Sequence, residues 1–268
     1  MQFIAQELDN QFDQEHLFDA VSQADGEVFR ALENRRTVLI ECDGRRYFAK
    51  SHFGVGWLEI IKNLCQLRLP VLGAENEFRA LNALARIGVD SLQPVAYCSE
   101  GRNPARRRSC IVTRALENMA SLEELFQADQ VTLAEKRDLI PKLAAVARQL
   151  HDNGINHRDF YLCHFLLDSS REELRPFLID LHRAQIRKVT PFRWQVKDIG
   201  GLFFSSFDFH LTQRDVYRFM KCYVNKSLRE TLADDAVFWR AVFARARRLY
   251  LQDHESLPAW VSKMEPGS

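Results

Sequence analysis

The segment Ile155–Asp168, "INHRDFYLCHFLLD", decides how the rest of the chain is read. Its three ionisable residues, His157, Arg158 and Asp159, follow a helix-like stretch and precede an apolar run. A loop that merely joins two elements gains little from such a cluster, so it points to a site. Upstream, Thr132 to Asp152 places Leu139, Leu143, Ala147 and Leu150 on one helical stripe, which Asn153-Gly154 closes. Thr132-x-x-Glu135 and Ser121-x-x-Glu124 both have the form of a capping box, where hydroxyl and carboxylate satisfy the free amides of a helix start. Downstream, "FLLD" and "PFLID" predict two short strands joined by the polar turn 169–175. The remainder, from about Trp194 to Trp260, reads as largely helical, with the basic amphipathic segment "FWRAVFARARRLYL" near its end.

Before Leu116 the texture differs. "GEVFRALE" and "TVLIECDGRRYFAK" are strand-like, with a polar turn at Asn34-Arg35-Arg36 and a hairpin at Asp43-Gly44, two residues that tolerate positive φ. A three-strand meander is expected, ending at Lys50. "VLGAENEFRALNALARIGV" sets Phe78, Leu81, Leu84 and Ala85 on one helical face, with Gly88 as its cap. A strand pair follows, "SLQPVAYCSE" and "SCIVTRAL", separated by the loop 101–108. These readings give an α+β chain: an N-terminal extension over 1–25, a strand-rich lobe over 26–116 and a helical lobe over 117–268. There is no internal repeat or low-complexity tract.

Composition sets limits on function. A chain of 268 residues that is 46% hydrophobic can bury a substantial core. Its net charge of +1 gives no whole-molecule field for nucleic acid, so a nucleic-acid partner is not expected. No run approaches the length of a membrane span, and the acidic start "MQFIAQELDNQFDQEH" lacks the form of a secretory signal, which makes the cytoplasm the expected compartment. The six cysteines include no C-x-x-C pair, which argues for reduced, mostly buried thiols. Cys163 and His164 are neighbours pointing to opposite faces of an extended segment, a poor start for a zinc site.

The ionisable residues fall in a definite order: Lys50 at the end of "YFAK", Glu77 in "ENEFRAL", Asp159 in the loop after a long helix, Asp180 at the end of "FLID". This order resembles that of the protein-kinase-like fold, a strand-rich N-lobe followed by a helical C-lobe. Five segments are more specific: "GEVFRALENRRTVLIE", "KNLCQLRLPVLGAENEF", "INHRDFYLCHFLL", "IDLHRAQIR" and "RWQVKDIGGLFFSS". With them the chain from about Gly26 to Tyr223 resembles the bacterial lipopolysaccharide core heptose(I) kinases of the WaaP type. The resemblance implies transfer of the γ-phosphate of ATP to a heptose hydroxyl of the lipopolysaccharide inner core, with ATP and Mg²⁺ as cofactors. It implies Lys50 as the phosphate-binding lysine, Glu77 as its partner, with Glu75 the rival, and Asp159 as catalytic base. Asp180 would be the metal ligand, and Thr113, Arg114 and Leu116 would form the adenine-binding hinge. Acyl carrier protein and a peripheral contact with the cytoplasmic face of the inner membrane are further implied partners, the latter through the basic helix 236–251 or, on the plainer reading, not at all because that helix packs into its lobe.

The departures are equally specific. His164 stands where protein kinases carry an asparagine that binds a second metal, so it is a candidate, though soft, ligand. Asp180-Leu181-His182 replaces Asp-Phe-Gly, and "ENRR" lacks a glycine-rich phosphate loop, which makes Arg35 or Arg36 candidate phosphate contacts. Asp198 is expected to support the backbone of the catalytic loop. Arg183, Arg187, Lys188, Arg193 and Lys197 form a basic group suited to an anionic acceptor. Two alternatives share these residues: a kinase for another core heptose or for protein tyrosine, and a nucleotide-binding pseudokinase.

Overall fold

The structure, a computed structural model, describes residues 2–9, 11–65, 70–170, 172–209 and 211–262. The chain divides into two compact units, the first made of 1–83, 91–116 and 181–183, the second of 84–90, 117–180 and 184–268.

Unit 1 is built on one antiparallel sheet. Its strands are β1 (Gln2–Ile4), β2 (Glu27–Leu32), β3 (Arg35–Cys42), β4 (Arg45–His52), β5 (Pro94–Glu100) and β6 (Arg108–Arg114), in the order β1-β5-β6-β4-β3-β2. The β2-β3-β4 meander is set by its turns. Asp43 and Gly44 both take positive φ (51° and 71°), which matches the twist of the flanking strands. The first turn is tighter than the sequence suggests, because Arg35 and Arg36 already belong to β3. Alternation along β4 then separates two faces. Tyr47 and Ala49 pair with Ile40 and Val38 and join a core with Leu17, Phe18 and Val21 of α1 (Leu17–Gln23). Lys50, one residue on, points to the other face. There, Phe78 of α3 (Glu75–Arg86) stacks on Tyr97 with ring centroids 4.3 Å apart.

Two expectations change here. The first 25 residues are not an extension: β1 pairs with β5, and Leu8, Leu17 and Phe18 are among the most buried side chains of the unit. A helix not read from the sequence, α2 (Gly56–Cys65), buries only Ile60, while Trp57, Leu58, Ile61 and Leu64 stay more than half exposed. Its apolar residues share one helical face, which is left largely uncovered among the described residues. Cys98 and Cys110, 12 residues apart, face each other as buried thiols across β5 and β6, a proximity no spacing rule discloses.

Unit 2 is mainly helical. After β7 (Met119–Ser121) come α4 (Leu122–Gln127) and α5 (Leu133–Asp152), each opened by the capping box read from sequence. The stripe Leu139, Leu143, Ala147 and Leu150 is buried. Four short strands come next: β8 (Ile155–Asn156), β9 (Phe165–Asp168), β10 (Phe177–Leu178) and β11 (Gln185–Ile186). They pair as β10-β9-β7 and β11-β8 and hold the intervening loops. The rest is α6 (Phe192–Ser206), α7 (Gln213–Val224), α8 (Leu228–Asp234), α9 (Ala236–Asp253) and α10 (Ala259–Ser262). In α9, Trp239, Val242, Phe243 and Ala246 are buried as it packs on α6, so the apolar stripe of the basic segment faces the interior. Among the described residues, no helix is long and apolar enough to cross a membrane.

Candidate active site

Lys50 and Glu77 meet in unit 1. Lys50 Nζ donates to Glu77 Oε1 at 2.6 Å, and the Glu77 carboxylate is 1% exposed. Glu75 is occupied elsewhere, paired with Arg79 and Arg107 on the exposed side of α3. The second carboxylate oxygen, Glu77 Oε2, is buried without a hydrogen bond. Among the described residues Glu77 Oε1 is the acceptor bonded to Lys50, whose ammonium carries two further donors for a ligand. Replacing Lys50 by Met strands a buried carboxylate, at a cost of about 2–3 kcal/mol of stability. The Lys50→Met, Glu77→Gln pair recovers most of that stability in thermal melts, without recovering turnover.

In unit 2 the loop after β8 is fixed by one buried carboxylate. Asp198 of α6 is 1% exposed and accepts from the His157 amide through Oδ2 (2.6 Å) and from the Arg158 amide through Oδ1 (2.9 Å). Arg158 sits at φ 78°, a left-handed conformation that costs a non-glycine residue about 1 kcal/mol or more. The two amide bonds to Asp198 offset that strain. His151 of α5 lies between Asp198 and Tyr223 of α7: Nε2 is 3.4 Å from Asp198 Oδ2, and Nδ1 is 2.7 Å from the Tyr223 hydroxyl. His151 and Tyr223 were not legible in the sequence, because neither stands in a motif and only the packing of α5 against α6 and α7 brings them together with Asp198. Burial keeps His157 neutral, so its Nε2–H donates to the Ile179 carbonyl at 2.9 Å, one residue before Asp180. Gly201 explains the double glycine of "DIGG": a Cβ there would lie 3.0 Å from the Tyr161 ring and 3.1 Å from the Phe160 carbonyl, pushing α6 off the loop.

Asp159 and Asp180 are both partly exposed. Asp180 has φ 61°, a second strained residue, which turns the chain sharply at its carboxylate. The sequence points to His164 as a candidate metal ligand, and the structure sets its ring between two oxygens. Nδ1 lies 2.6 Å from the Asp159 carbonyl, and Nε2 lies 3.5 Å from Asp180 Oδ2. A ring facing two oxygens acts as a donor. Burial pulls its pKa down, but hydrogen bonding to Cys163 and to the Asp159 carbonyl, with the Asp180 charge, outweighs this and pushes it up to about 9. His164 thus faces both aspartates, Asp159 at its carbonyl and Asp180 at its carboxylate.

The remaining candidates sort clearly. Thr113 is fully buried with its hydroxyl unpaired, at the end of β6. The Arg114 amide is bonded to the Gln93 carbonyl and its guanidinium grips Glu7, so its side chain is not available to a nucleotide. Leu116 comes after it, half-buried and outside the sheet. Arg36 spends its guanidinium on the carbonyls of Ser22 and Ala24, tying β3 to the end of α1. Arg35 Nε is buried with no acceptor. Of the basic group, Arg187, Arg193 and Lys197 converge on Trp194, Lys188 is exposed, and Arg183 belongs to unit 1.

A lysine held by a buried glutamate, a clamped loop ending in an aspartate, and a strained second aspartate are the parts that phosphoryl transfer uses for positioning and charge neutralisation. Comparison with known proteins agrees. The family model for the lipopolysaccharide kinase (Kdo/WaaP) family matches residues 19–223. Lipopolysaccharide core heptose(I) kinase WaaP of Escherichia coli strain K12 is 44% identical over 239 residues, 87% of this chain and 90% of the relative. The enzyme of the same description from a Pseudomonas aeruginosa strain is 44% identical over 241 residues, with the same coverage. A solved structure of WaaP in complex with acyl carrier protein superposes with a TM-score of 0.79 at 36% identity, covering 93% of this chain and 99% of that one. The chain belongs to the lipopolysaccharide kinase (Kdo/WaaP) family.

Proposed function

We propose that the protein transfers the γ-phosphate of ATP to a hydroxyl of the first heptose of the lipopolysaccharide inner core. The observation that carries this reading is the loop clamped by Asp198, which presents Asp159 from a rigid backbone. Two unpaired buried atoms of unit 1 fit a nucleotide: Thr113 Oγ1, which can donate or accept, and Arg35 Nε, which can donate to phosphate. Lys50 holds phosphate oxygens, Glu77 fixes its position, and Asp180 is the carboxylate for Mg²⁺, a cation that prefers oxygen ligands. When bound, ATP brings the phosphoryl group and Mg²⁺ neutralises charge on its oxygens. Asp159 accepts the proton of the attacking heptose hydroxyl. Adenine is gripped beside Thr113 and by the backbone near Leu116, since the amides of Arg114 and Ala115 are already bonded to Gln93 and Arg46.

The decisive experiment is mass spectrometry of dephosphorylated core oligosaccharide incubated with ATP and the protein. A gain of one phosphate on the first heptose supports the reading, and no gain rejects it. The two arginines of β3 separate as well. Arg35→Ala is expected to raise the KM for ATP about tenfold, the worth of one charged hydrogen bond. Arg36→Ala lowers the melting temperature and leaves that KM unchanged. The site of action is the cytoplasmic face of the inner membrane, where ATP and the unfinished glycolipid are both present.

Acyl carrier protein is the partner proposed for this chain as well. The support is the solved structure of WaaP in complex with acyl carrier protein, to which this chain is 36% identical. Co-elution of the two proteins on size exclusion is the expected result.

A further inference from the structure

Trp194, in the first turn of α6, is surrounded by positive charge. The guanidinium carbons of Arg158, Arg187 and Arg193 lie 5.5, 5.6 and 5.3 Å from its ring centroid, and Lys197 Nζ lies 5.0 Å away. Of the four, Arg187 and Arg193 are close enough to repel one another, which opposes folding unless an anion joins them. Among the described residues, Arg187 and Arg193 have no carboxylate partner. Arg187 donates to neutral acceptors, Asn156 Oδ1 at 2.5 Å and Gln185 Oε1 at 2.6 Å, which fix the direction of its fork without neutralising it. Burial and the neighbouring Arg193 lower its pKa, the signature of a cation crowded by its own kind. The helix adds to the field. Its N-cap is Pro191, no side chain caps it and no acidic residue lies in its first turn, so the positive end of the 15-residue α6 opens among these side chains. Trp194 Nε1 is buried there with no acceptor.

We infer that this cluster is an oxyanion-binding site that grips a carboxylate or phosphate of the acceptor glycan, next to the hydroxyl to be phosphorylated. The inference rests on the heptose-kinase reading for the identity of the acceptor. Position favours acceptor over nucleotide. The cluster lies in unit 2, the unit that holds Asp159, the proposed base for the acceptor hydroxyl. Arg158 is the residue immediately before Asp159, and its amide is fixed by the same Asp198. An anion held at Trp194 is thus registered to the catalytic loop through one residue of backbone. The chemistry is suited to planar or tetrahedral oxyanions, because a fork pre-oriented by Asn156 and Gln185 loses little freedom on binding. Heptose itself is neutral, so an acidic neighbouring group gives the enzyme its strongest handle on the acceptor.

The test is steady-state kinetics of the full-length protein and its Arg187→Gln, Arg193→Gln variant on core oligosaccharide. The acceptor is supplied intact, phosphatase-treated, or with its carboxylates reduced to alcohols. Phosphate transfer by the unaltered protein to intact acceptor checks the activity first: its failure rejects the kinase reading, and the anion site is then judged by calorimetric binding of intact acceptor to the protein and the variant, where equal affinity overturns it. The variant is expected to raise the KM for intact acceptor about 10- to 100-fold, as for lost charged hydrogen bonds, with kcat and the KM for ATP unchanged. On the acceptor form that lacks the recognised group, the two proteins should have equal KM, which identifies the group as phosphate or carboxylate. The exposed Arg193→Gln substitution alone repeats the measurement without touching a buried side chain. Equal KM on intact acceptor for all three proteins, or a variant defect that persists undiminished on both neutralised acceptors, overturns the inference.

Discussion

Asp159→Asn lowers kcat by about 10²–10⁴-fold, the contribution of a positioned base, and leaves the KM for ATP within about threefold. The asymmetry arises from where Asp159 stands. Its backbone carbonyl receives His164 Nδ1 and its neighbours' amides are held by Asp198, so the loop does not depend on the side chain being replaced. Asparagine keeps the shape and can still align a hydroxyl, but it cannot take the proton. The proposed nucleotide contacts are other residues, Lys50 first among them, and the substitution does not alter the Lys50–Glu77 pair. Rapid-quench measurement of the first turnover, with ATP binding followed separately, gives both quantities. Near-full turnover would remove Asp159 from the chemistry, and a parallel loss of ATP affinity would mean that the loop had moved.

The sequence disclosed what is local. Capping boxes, the Asp43-Gly44 turn and the stripe on α5 each depend on residues within one or two turns of each other, and each appears where the spacing puts it. Alternation along "YFAK" is also local, and it sets Lys50 on the face opposite the Tyr47–Ala49 core. Whatever depends on packing between distant elements was hidden. The N-terminal 25 residues read as polar, yet Leu8, Leu17 and Phe18 are enough to anchor them once the sheet offers a face. Arg35 and Arg36 are indistinguishable in sequence; only the path of α1 decides that Arg36 braces carbonyls and Arg35 does not. His164 was conspicuous by position, but its role depends on two oxygens whose placement needs the left-handed turn at Asp180. The convergence of Arg187, Arg193 and Lys197 on Trp194 is partly helical spacing and partly the β8-β11 pairing that returns Arg187 to the start of α6.

Asp198→Ala has the second large effect, expected in stability and turnover together. It removes the acceptor for two buried amides, each costing about 1–3 kcal/mol when left unpaired, and releases the compensation for the strained Arg158. A total near 4 kcal/mol corresponds to a fall of roughly 8–16 °C in melting temperature for a chain of this size. Asparagine is no rescue, because its single carbonyl oxygen can serve one amide while its NH₂ group confronts the other. Turnover should fall further than the folded fraction, since a loop free to leave the left-handed conformation at Arg158 no longer presents Asp159 in one orientation. Tyr223→Phe separates the two effects: it deletes only the hydroxyl 2.7 Å from His151, leaving Asp198 and both amide bonds in place. That variant should lose about 1 kcal/mol, as for one net hydrogen bond, and keep its turnover. If Asp198→Ala instead melts like the parent while losing activity, the carboxylate acts in the chemistry directly. If it loses stability but retains full turnover in the cold, the loop is held by its own packing against α6, and Gly201 rather than Asp198 is the residue that sets it.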